Sequence, residues 1–255
     1  DLKYYVNLAR ELADAGAHII SIKDMGGLCK PDAARILVKA LKEETGLPLH
    51  FHTHDTSGIS AASVLAAVEA GADAVDAAID SMSGLTSQPN LGSIVEALKN
   101  TERDTGLDTD AIRDLSTYWE HVRSLYASFE SDFRSGASDV YTHEIPGGQY
   151  TNLRQQARSM GIDRRWPEIT DTYAKVNEMF GDVIKVTPTS KVVGDMTLLM
   201  TTSDISPEDV LDPEKEIAFP ESVIQFFRGE LGQPYGGFPV ALQDKILKGE
   251  APITV

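Results

Sequence analysis

Helical and strand-like patterns alternate strictly over the first hundred residues, and this alternation limits the fold more than any other feature of the chain. Apolar spacing and stop residues predict helices at 2–16, 31–46, 57–71 and 93–101, separated by strands at 18–23, 47–54 and 72–82. Because the connecting loops are short, each helix is expected to cross over between two parallel strands. The pattern indicates an α/β fold. Alternation alone leaves two architectures open, a closed barrel and an open doubly wound sheet.

Polar side chains at the predicted strand ends favour the barrel. Lys23, His52, His54 and Asp80 all fall where a strand ends and a loop follows. In a (β/α)8 barrel, this rim is where catalytic residues lie. A complete barrel needs eight strands and only three are found. We therefore expect the last three βα units of a (β/α)8 TIM-type barrel.

The beginning of the chain fits that interpretation. The sequence opens at Asp1 inside a helical pattern, without a leading strand, which is typical of a piece of a longer protein. Three βα units cannot close a barrel and would leave two open strand edges. We therefore expect this chain to be inactive by itself.

The alternation stops near residue 106, and the remaining sequence is mainly helical in pattern. Helices are predicted at 109–129, 151–161, 165–181 and 190–202, with two more inside 219–249. We therefore expect two domains, a partial barrel at 1–106 and a mainly α-helical domain at 107–255.

Net charge and residue usage exclude several function classes. The formal net charge of −16 argues against binding to nucleic acid or to an anionic membrane, because both need clustered Lys and Arg. No apolar run approaches the ~20 residues of a transmembrane helix. The single cysteine, Cys29, excludes an internal disulfide and fits a reducing compartment. A cytoplasmic location is therefore expected.

The segment LPLHFHTHDTSG, residues 47–58, contains half of the six histidines. His50, His52 and His54 alternate with other residues, so in a strand all three side chains leave the same face. Imidazole is the commonest protein ligand for metal ions. A strand with solvated or internally hydrogen-bonded histidines is the competing interpretation, and two imidazoles alone leave a divalent ion short of ligands. His50 is expected to lie deeper and not to act as a ligand.

Two further stretches contain candidate functional groups. Lys23 either binds an anion, is simply solvated, or, if burial lowers its pKa, adds CO2 to form a carbamate that is an anionic oxygen ligand. The loop TPTSK, residues 187–191, leads into a helix whose first N–H groups could bind an anion. From these residues alone, an ordinary capped helix is the favoured interpretation of that loop.

Motifs distributed over the whole chain favour a functional interpretation of these residues. They are IKDMGGLCKP at 22–31, the 47–98 region beginning LPLHFHTHDTSG, HEIPGGQYTNL at 143–153, VNEMFGDVIKVTPTSKVVGDM at 176–196 and FPESVIQFFRGELGQPYGGFP at 219–239. In content and order, they closely resemble the carboxyltransferase domain of the pyruvate carboxylase family. The α subunits of oxaloacetate decarboxylase and transcarboxylase share the first two motifs and remain the alternative.

The resemblance implies a site, residue by residue. It implies that Lys23, as N6-carboxylysine, binds Zn2+ or Mn2+ together with His52 and His54. It makes Thr187 the catalytic threonine, and it makes Ser190 and Lys191 lining residues of the biotin pocket. In the family, a fourth metal ligand (an aspartate) and a pyruvate-binding arginine lie upstream of the matched segment.

The resemblance also implies a reaction and its partners. The family transfers the carboxyl group of carboxybiotin to pyruvate and forms oxaloacetate. Thr187 would accept a proton from the pyruvate methyl group while passing its own proton to biotin. Biotin is carried on a separate carrier domain, ATP and bicarbonate are used by an upstream domain, and the assembly is a homo-tetramer. Aldolase-type and acyl-transfer lyases share the histidine pair on a barrel but lack the Thr-Pro-x-Ser-Lys segment, and an inert folded scaffold is the non-enzymatic alternative.

Overall fold

The computed structural model describes residues 1–253 and confirms the predicted α/β fold with a parallel sheet. The sheet has three strands in the order β1 (Ile20–Asp24), β2 (Leu49–Thr53) and β3 (Ala74–Val75), all parallel. Register pairs Lys23 with His52, so these two residues are neighbours on the same face of the sheet. The strand order follows the chain order, as successive crossover helices require.

Helices connect the strands and follow them in the first part of the chain, and specific residues mark several of their ends. They are α1 (Leu2–Asp14), α2 (Pro31–Thr45), α3 (Ser60–Glu69), α4 (Leu91–Leu98) and α5 (Thr109–Leu125). Pro31 opens α2 at its first position, where a missing N–H costs nothing, and Gly46 ends it in the left-handed conformation. Asn90 caps α4 by accepting from the Ser93 N–H.

One side of β2 builds the core of this part of the molecule. Leu49 and Phe51 are fully buried, whereas His50 and His52, which alternate with them, are half-buried. Val38 of α2 and Val64 of α3 are also fully buried in the same cluster. Burying each such side chain contributes roughly 1.5–3 kcal/mol, so the apolar side of β2 fixes which side the histidines occupy.

The third strand is shorter than predicted, which corrects the position assigned to Asp80. β3 ends at Val75, and residues 80–82 form a 3-10 turn instead of the end of a strand. The Asp80 carboxylate accepts from the Gly92 N–H at 2.7 Å, near the start of α4. Asp80 therefore stabilises a helix end and is not a rim residue of the sheet.

The two compact units of the structure divide at a different place from the predicted domains. The first unit is Asp1–Tyr141 and the second is Thr142–Val255, whereas the predicted boundary followed residue 106. Helix α5 belongs to the first unit because Ser116 Oγ accepts from the Ser81 N–H at 3.1 Å and Arg123 donates to the Ser81 carbonyl at 2.5 Å. The end of βα alternation is thus not the end of the first compact unit.

The remaining chain is helical, as predicted. Its helices are α6 (Val140–His143), α7 (Gly147–Ser159), α8 (Trp166–Met179), α9 (Thr189–Ser203), α10 (Pro207–Leu211), α11 (Glu221–Arg228) and α12 (Val240–Leu247). Phe180, Phe226, Phe227 and Phe238 form an aromatic cluster with ring centroids 5.0–6.2 Å apart. Within residues 1–253, none of the helices combines the length and the hydropathy that a membrane span requires.

Candidate metal centre and the Thr187 loop

His52 and His54 direct one ring nitrogen each toward the same point. The two Nε2 atoms are 3.2 Å apart at the carboxyl end of β2. Two nitrogens that bind one tetrahedral zinc ion at the usual bond length lie about 3.4 Å apart. Two ligands of one metal ion would have a spacing of this size, and so would an N–H···N hydrogen bond between the rings.

The other nitrogen of each ring fixes the tautomer. His52 Nδ1 lies 2.7 Å from Asp76 Oδ2, and His54 Nδ1 lies 2.6 Å from the Thr86 carbonyl oxygen. Both partners accept hydrogen bonds, so both Nδ1 atoms carry a proton and both Nε2 atoms present a lone pair. Two lone pairs at 3.2 Å repel each other unless a positive charge, a proton or a metal ion, lies between them.

The surroundings of His54 favour its neutral form, which is the form that binds metal ions. Burial lowers the pKa of the His54 imidazole, and the hydrogen bond to the Thr86 carbonyl offsets this only in part. Among residues 1–253, no three His, Cys, Asp or Glu side chains come together as a set of metal ligands. A metal ion at the two imidazoles would need a further ligand, either a group of another kind within these residues or a residue outside them.

Lys23 is the neighbouring residue with a suitable position. Its pairing with His52 places it on the same face as the imidazoles, and its charge is close enough to act on His54. The Lys23 side chain is exposed in the part of the chain that the structure describes. The burial that would favour a carbamate on Lys23 is therefore not provided by residues 1–253. Lys23 as a metal ligand stays a prediction.

Two nearby groups support the site without being candidate ligands. The Asp24 carboxylate accepts from the Leu28 and Cys29 N–H groups at 2.8 and 2.9 Å and from Thr53 Oγ1 at 2.7 Å. It thereby joins the loop after β1 to the end of β2. Burial raises the pKa of the Cys29 thiol to about 12, so this cysteine stays protonated and is a poor metal ligand.

Sequence reasoning missed Asp76. Its carboxylate lies 2.8 Å from His50 Nε2 and 2.7 Å from His52 Nδ1, and it directly follows β3. His50 thus binds Asp76 rather than converging with the other two imidazoles, in line with its expected exclusion from the ligand set. A polar residue at the end of the strand next to β2 was the available signal, but the predicted strand ran seven residues too far, to residue 82.

The second group of candidate residues surrounds the start of α9. Thr187 is exposed and its peptide bond to Pro188 is cis, while Ser190 is buried and lies with Lys191 in the first turn of α9. Thr189 Oγ1 lies 2.6 Å from the Ile184 carbonyl and 2.5 Å from the Val186 carbonyl, and these contacts close the loop. Thr187 therefore lies in the loop directly before α9, and Ser190 and Lys191 lie in the first turn of that helix.

The polar groups of this loop have specific partners. Lys191 Nζ donates to Asp195 Oδ2 at 2.5 Å, and the same oxygen accepts from Ser222 Oγ at 2.6 Å. The Ser190 carbonyl accepts from the Tyr173 hydroxyl at 3.3 Å. Thr187 and Lys191 are both exposed residues in the part of the chain that the structure describes.

We predict that Gly27→Ala damages the metal centre through steric overlap. Gly27 has φ +70°, and an added Cβ would overlap the His54 carbonyl oxygen and lie 3.1 Å from its carbon. The control is Gly46→Ala, which has φ +64° but no atom within 4 Å of the added Cβ. Both substitutions carry the left-handed penalty of about 1–2 kcal/mol, and only Gly27→Ala adds an overpacking cost of about 1–3 kcal/mol.

The melting temperature and metal content of the two full-length variants provide the measurement. Gly27→Ala is expected to melt lower than Gly46→Ala and to hold less metal. Equal melting temperatures and equal metal contents would contradict the steric argument.

The two halves of the chain match two family models. Residues 1–118 match the HMGL-like family, and residues 140–255 match the conserved carboxylase domain. Pyruvate carboxylase of Bacillus subtilis is 51% identical over 255 residues, which is 100% of this chain and 22% of that protein. Mitochondrial pyruvate carboxylase of Homo sapiens is 49% identical over 250 residues, 97% of this chain and 21% of that protein. The chain thus spans less than a quarter of these relatives.

Solved structures match the fold over the whole chain. The carboxyl transferase domain of Rhizobium etli pyruvate carboxylase, solved with pyruvate and biocytin, has a TM-score of 0.98 and 64% identity, covering 100% of this chain and 43% of that one. The same domain solved with oxamate and biotin gives the same values. The chain therefore belongs to the HMGL-like family over residues 1–118 and to the conserved carboxylase domain family over residues 140–255, in the combination found in the carboxyl transferase domain of pyruvate carboxylase.

Proposed function

We propose that this chain is part of a biotin-dependent carboxyltransferase that moves the carboxyl group of carboxybiotin to the methyl carbon of pyruvate, forming oxaloacetate. The observation that carries the proposal is the convergence of the His52 and His54 Nε2 atoms at 3.2 Å beside Lys23. The similar carboxyl transferase domain of Rhizobium etli pyruvate carboxylase was solved with pyruvate and biocytin, which supports this substrate pair for the chain.

The metal-binding residues of the proposal are His52, His54 and Lys23, the last as its carbamate, with Zn2+ or Mn2+ as the ion. A divalent ion held there would supply Lewis-acid polarisation of the pyruvate carbonyl. His52 and His54 contribute neutral nitrogen donors whose direction is fixed by the Asp76 carboxylate and the Thr86 carbonyl. The Lys23 carbamate contributes an anionic oxygen that its ammonium form cannot offer.

The Thr187 loop is the proposed place of proton transfer. Loss of CO2 from carboxybiotin breaks its N–C bond and leaves a basic ureido nitrogen. The Thr187 hydroxyl gives its proton to that nitrogen while it takes one from the pyruvate methyl group, and the resulting enolate attacks the CO2 to form the new C–C bond. Each proton lost is thus matched by one gained, and the hydroxyl is unchanged afterwards. Ser190 and Lys191, in the adjacent helical turn, are proposed to line the biotin pocket, where Asp195 holds the Lys191 ammonium.

Isotope exchange in the full-length protein tests this proposal. Labelled pyruvate is incubated with unlabelled oxaloacetate, using full-length protein with and without its attached biotin, and metal content is measured by elemental analysis. We expect bound metal and a biotin-dependent passage of label into oxaloacetate. If the metal-loaded protein shows no exchange of label between pyruvate and oxaloacetate, the proposed carboxyltransferase function is wrong. Loss of CO2 from oxaloacetate without any labelled oxaloacetate would favour the decarboxylase alternative.

We predict that Lys23→Arg lowers the bound metal and the rate of carboxyl transfer. Guanidinium keeps its positive charge and does not form a carbamate, so it removes the oxygen donor while preserving side-chain length. The matched control is Lys39→Arg, because Lys39 of α2 forms only a surface ion pair with Glu43 at 3.9 Å. Elemental analysis checks both variants, and one metal ion per chain in Lys23→Arg would exclude Lys23 as a ligand.

The assembly is the remaining part of the proposal. A homo-tetramer, a biotin carrier domain as partner and a cytoplasmic location stay predictions that rest on the resemblance. Light scattering of the full-length protein in solution checks the first of them.

A further inference from the structure

The Asp76 carboxylate connects two imidazoles of β2. Its Oδ1 lies 2.8 Å from His50 Nε2, and its Oδ2 lies 2.7 Å from His52 Nδ1. The backbone of Asp76 is fixed as well, because its N–H donates to the Phe51 carbonyl at 3.1 Å. Each carboxylate oxygen therefore has its own imidazole partner, and the group cannot rotate without losing both.

This arrangement determines where His52 presents its lone pair. A carboxylate accepts hydrogen bonds only, so the proton of the His52 ring lies on Nδ1 and the lone pair on Nε2. The Nε2 atom is the one that lies 3.2 Å from His54 Nε2. Rotation of the His52 ring or a change of tautomer would remove one of the two converging donors.

The direction of the His54 ring is fixed by a backbone group and not by a side chain. Its Nδ1 partner is the backbone carbonyl of Thr86, which side-chain substitution does not remove. Within the described part of the protein, substitution of Asp76 would therefore change the direction of the His52 ring while leaving the His52 and His54 side chains themselves unaltered.

We propose that Asp76 is a positioning residue of the metal centre, which sets the tautomer and direction of His52 and thereby the affinity of the site for its divalent ion. The proposal rests on the proposed function, since it assumes that His52 and His54 bind the metal. His50 has a supporting part, because it holds the second carboxylate oxygen. Loss of a carboxylate that holds a metal-binding imidazole typically lowers metal affinity by about 10–100-fold.

The test is Asp76→Asn in the full-length protein. The asparagine amide has nearly the same shape, but it has one accepting oxygen where the carboxylate has two. One of the two imidazoles must lose its acceptor, or face an N–H2 group that imposes the opposite tautomer. We expect the dissociation constant for Zn2+, measured by competition with a chelator, to rise about 10–100-fold.

Two further readouts separate positioning from a general loss of structure. The visible absorption of the Co2+-substituted protein is expected to change in Asp76→Asn, because the ligand geometry around the ion changes. Carboxyl transfer is expected to fall at limiting metal and to recover in part when metal is in excess. Asp76→Glu, which keeps a carboxylate, is expected to lie between Asn and the parent in metal affinity.

Asp80→Asn provides the matched control. It is the same chemical change four residues along the chain, at a carboxylate that accepts from the Gly92 N–H and has no imidazole partner. The control is expected to keep the parental dissociation constant and Co2+ spectrum. If Asp76→Asn is too unstable to purify, Asp76→Glu is decisive, and its parental affinity and spectrum would overturn the proposal.

The outcomes distinguish the two proposals. A parent protein that binds metal and transfers carboxyl groups, with Asp76→Asn equal to it in affinity and spectrum, overturns the role of Asp76 alone. A parent protein that holds no metal at His52 and His54 overturns the proposed function, and the role of Asp76 falls with it. Weaker metal binding in Asp76→Asn but not in Asp80→Asn supports the positioning role.

Discussion

Replacing His52 or His54 with alanine in the full-length protein is expected to remove the bound metal and to lower carboxyl transfer by at least ~10³-fold. Lewis-acid stabilisation of developing charge is worth several kcal/mol, and each ~1.4 kcal/mol corresponds to a tenfold change in rate. Either substitution leaves one imidazole facing an empty space where its partner stood, 3.2 Å away. One remaining imidazole and a lysine-derived oxygen are a weak ligand set for a divalent ion.

The measurement is metal content by elemental analysis, together with the isotope exchange between pyruvate and oxaloacetate. His121→Ala is the matched control, because His121 is an exposed histidine of α5 whose Nδ1 interacts with the Thr117 carbonyl of its own helix. It should keep the metal and the activity. One metal ion per chain in both His52→Ala and His54→Ala would show that these imidazoles are not the ligands.

The histidine pair could be predicted because strand periodicity determines it. Residues two apart in a strand share a face whatever the rest of the fold does, and the apolar residues between them mark the opposite face. Leu49 and Phe51 are fully buried in the structure, as that pattern requires. The tautomers of His52 and His54 could not be predicted, since they depend on Asp76 and on the Thr86 carbonyl, which lie 24 and 32 residues away along the chain.

Asp80 and Asp76 show how a correct rule can select the wrong residue. Polar residues were sought where strands end, and the apolar run ADAVDAAIDSM was taken to be strand throughout. The strand stops at Val75, because pairing with β2 extends only over His50 and Phe51. Asp76 therefore occupies the strand-end position that was assigned to Asp80. The length of a short strand is set by its pairing with the neighbouring strand, and the local sequence of the strand does not show how far that pairing extends.

The surroundings of Lys23 could not be predicted either. Its position on the sheet was predicted from the strand pattern, and the register with His52 agrees with that position. Its exposure depends on which groups cover β1, and tertiary neighbours of that kind leave no signal in the local sequence. Hydrogen bonds to Ser81 from the 109–125 helix hold that helix to the first compact unit, and the local sequence gives no sign of them. The predicted domain boundary after residue 106 stays a prediction.

Thr187→Ala is expected to lower carboxyl transfer by ~10²–10⁴-fold, the usual contribution of a positioned proton-transfer group. The substitution removes an exposed hydroxyl that lies outside the proposed metal centre, so fold and metal content should be unchanged. Carboxylation of biotin by the upstream part of the full-length protein should also continue. Thr187→Ser should retain part of the activity, since the hydroxyl remains but loses the methyl group that restricts its rotamer.

Thr189→Ala is the control that distinguishes a structural role of the loop from the proposed proton transfer by Thr187. Thr189 Oγ1 contacts the Ile184 and Val186 carbonyls and accepts from the Val186 N–H at 3.2 Å, so its loss should loosen the loop and lower the melting temperature. Each lost hydrogen bond of this kind costs about 0.5–1.5 kcal/mol. Thr187→Ala should instead keep the parental melting temperature and lose transfer. Parental exchange of label between pyruvate and oxaloacetate in Thr187→Ala would mean that the methyl proton reaches biotin through water or another side chain.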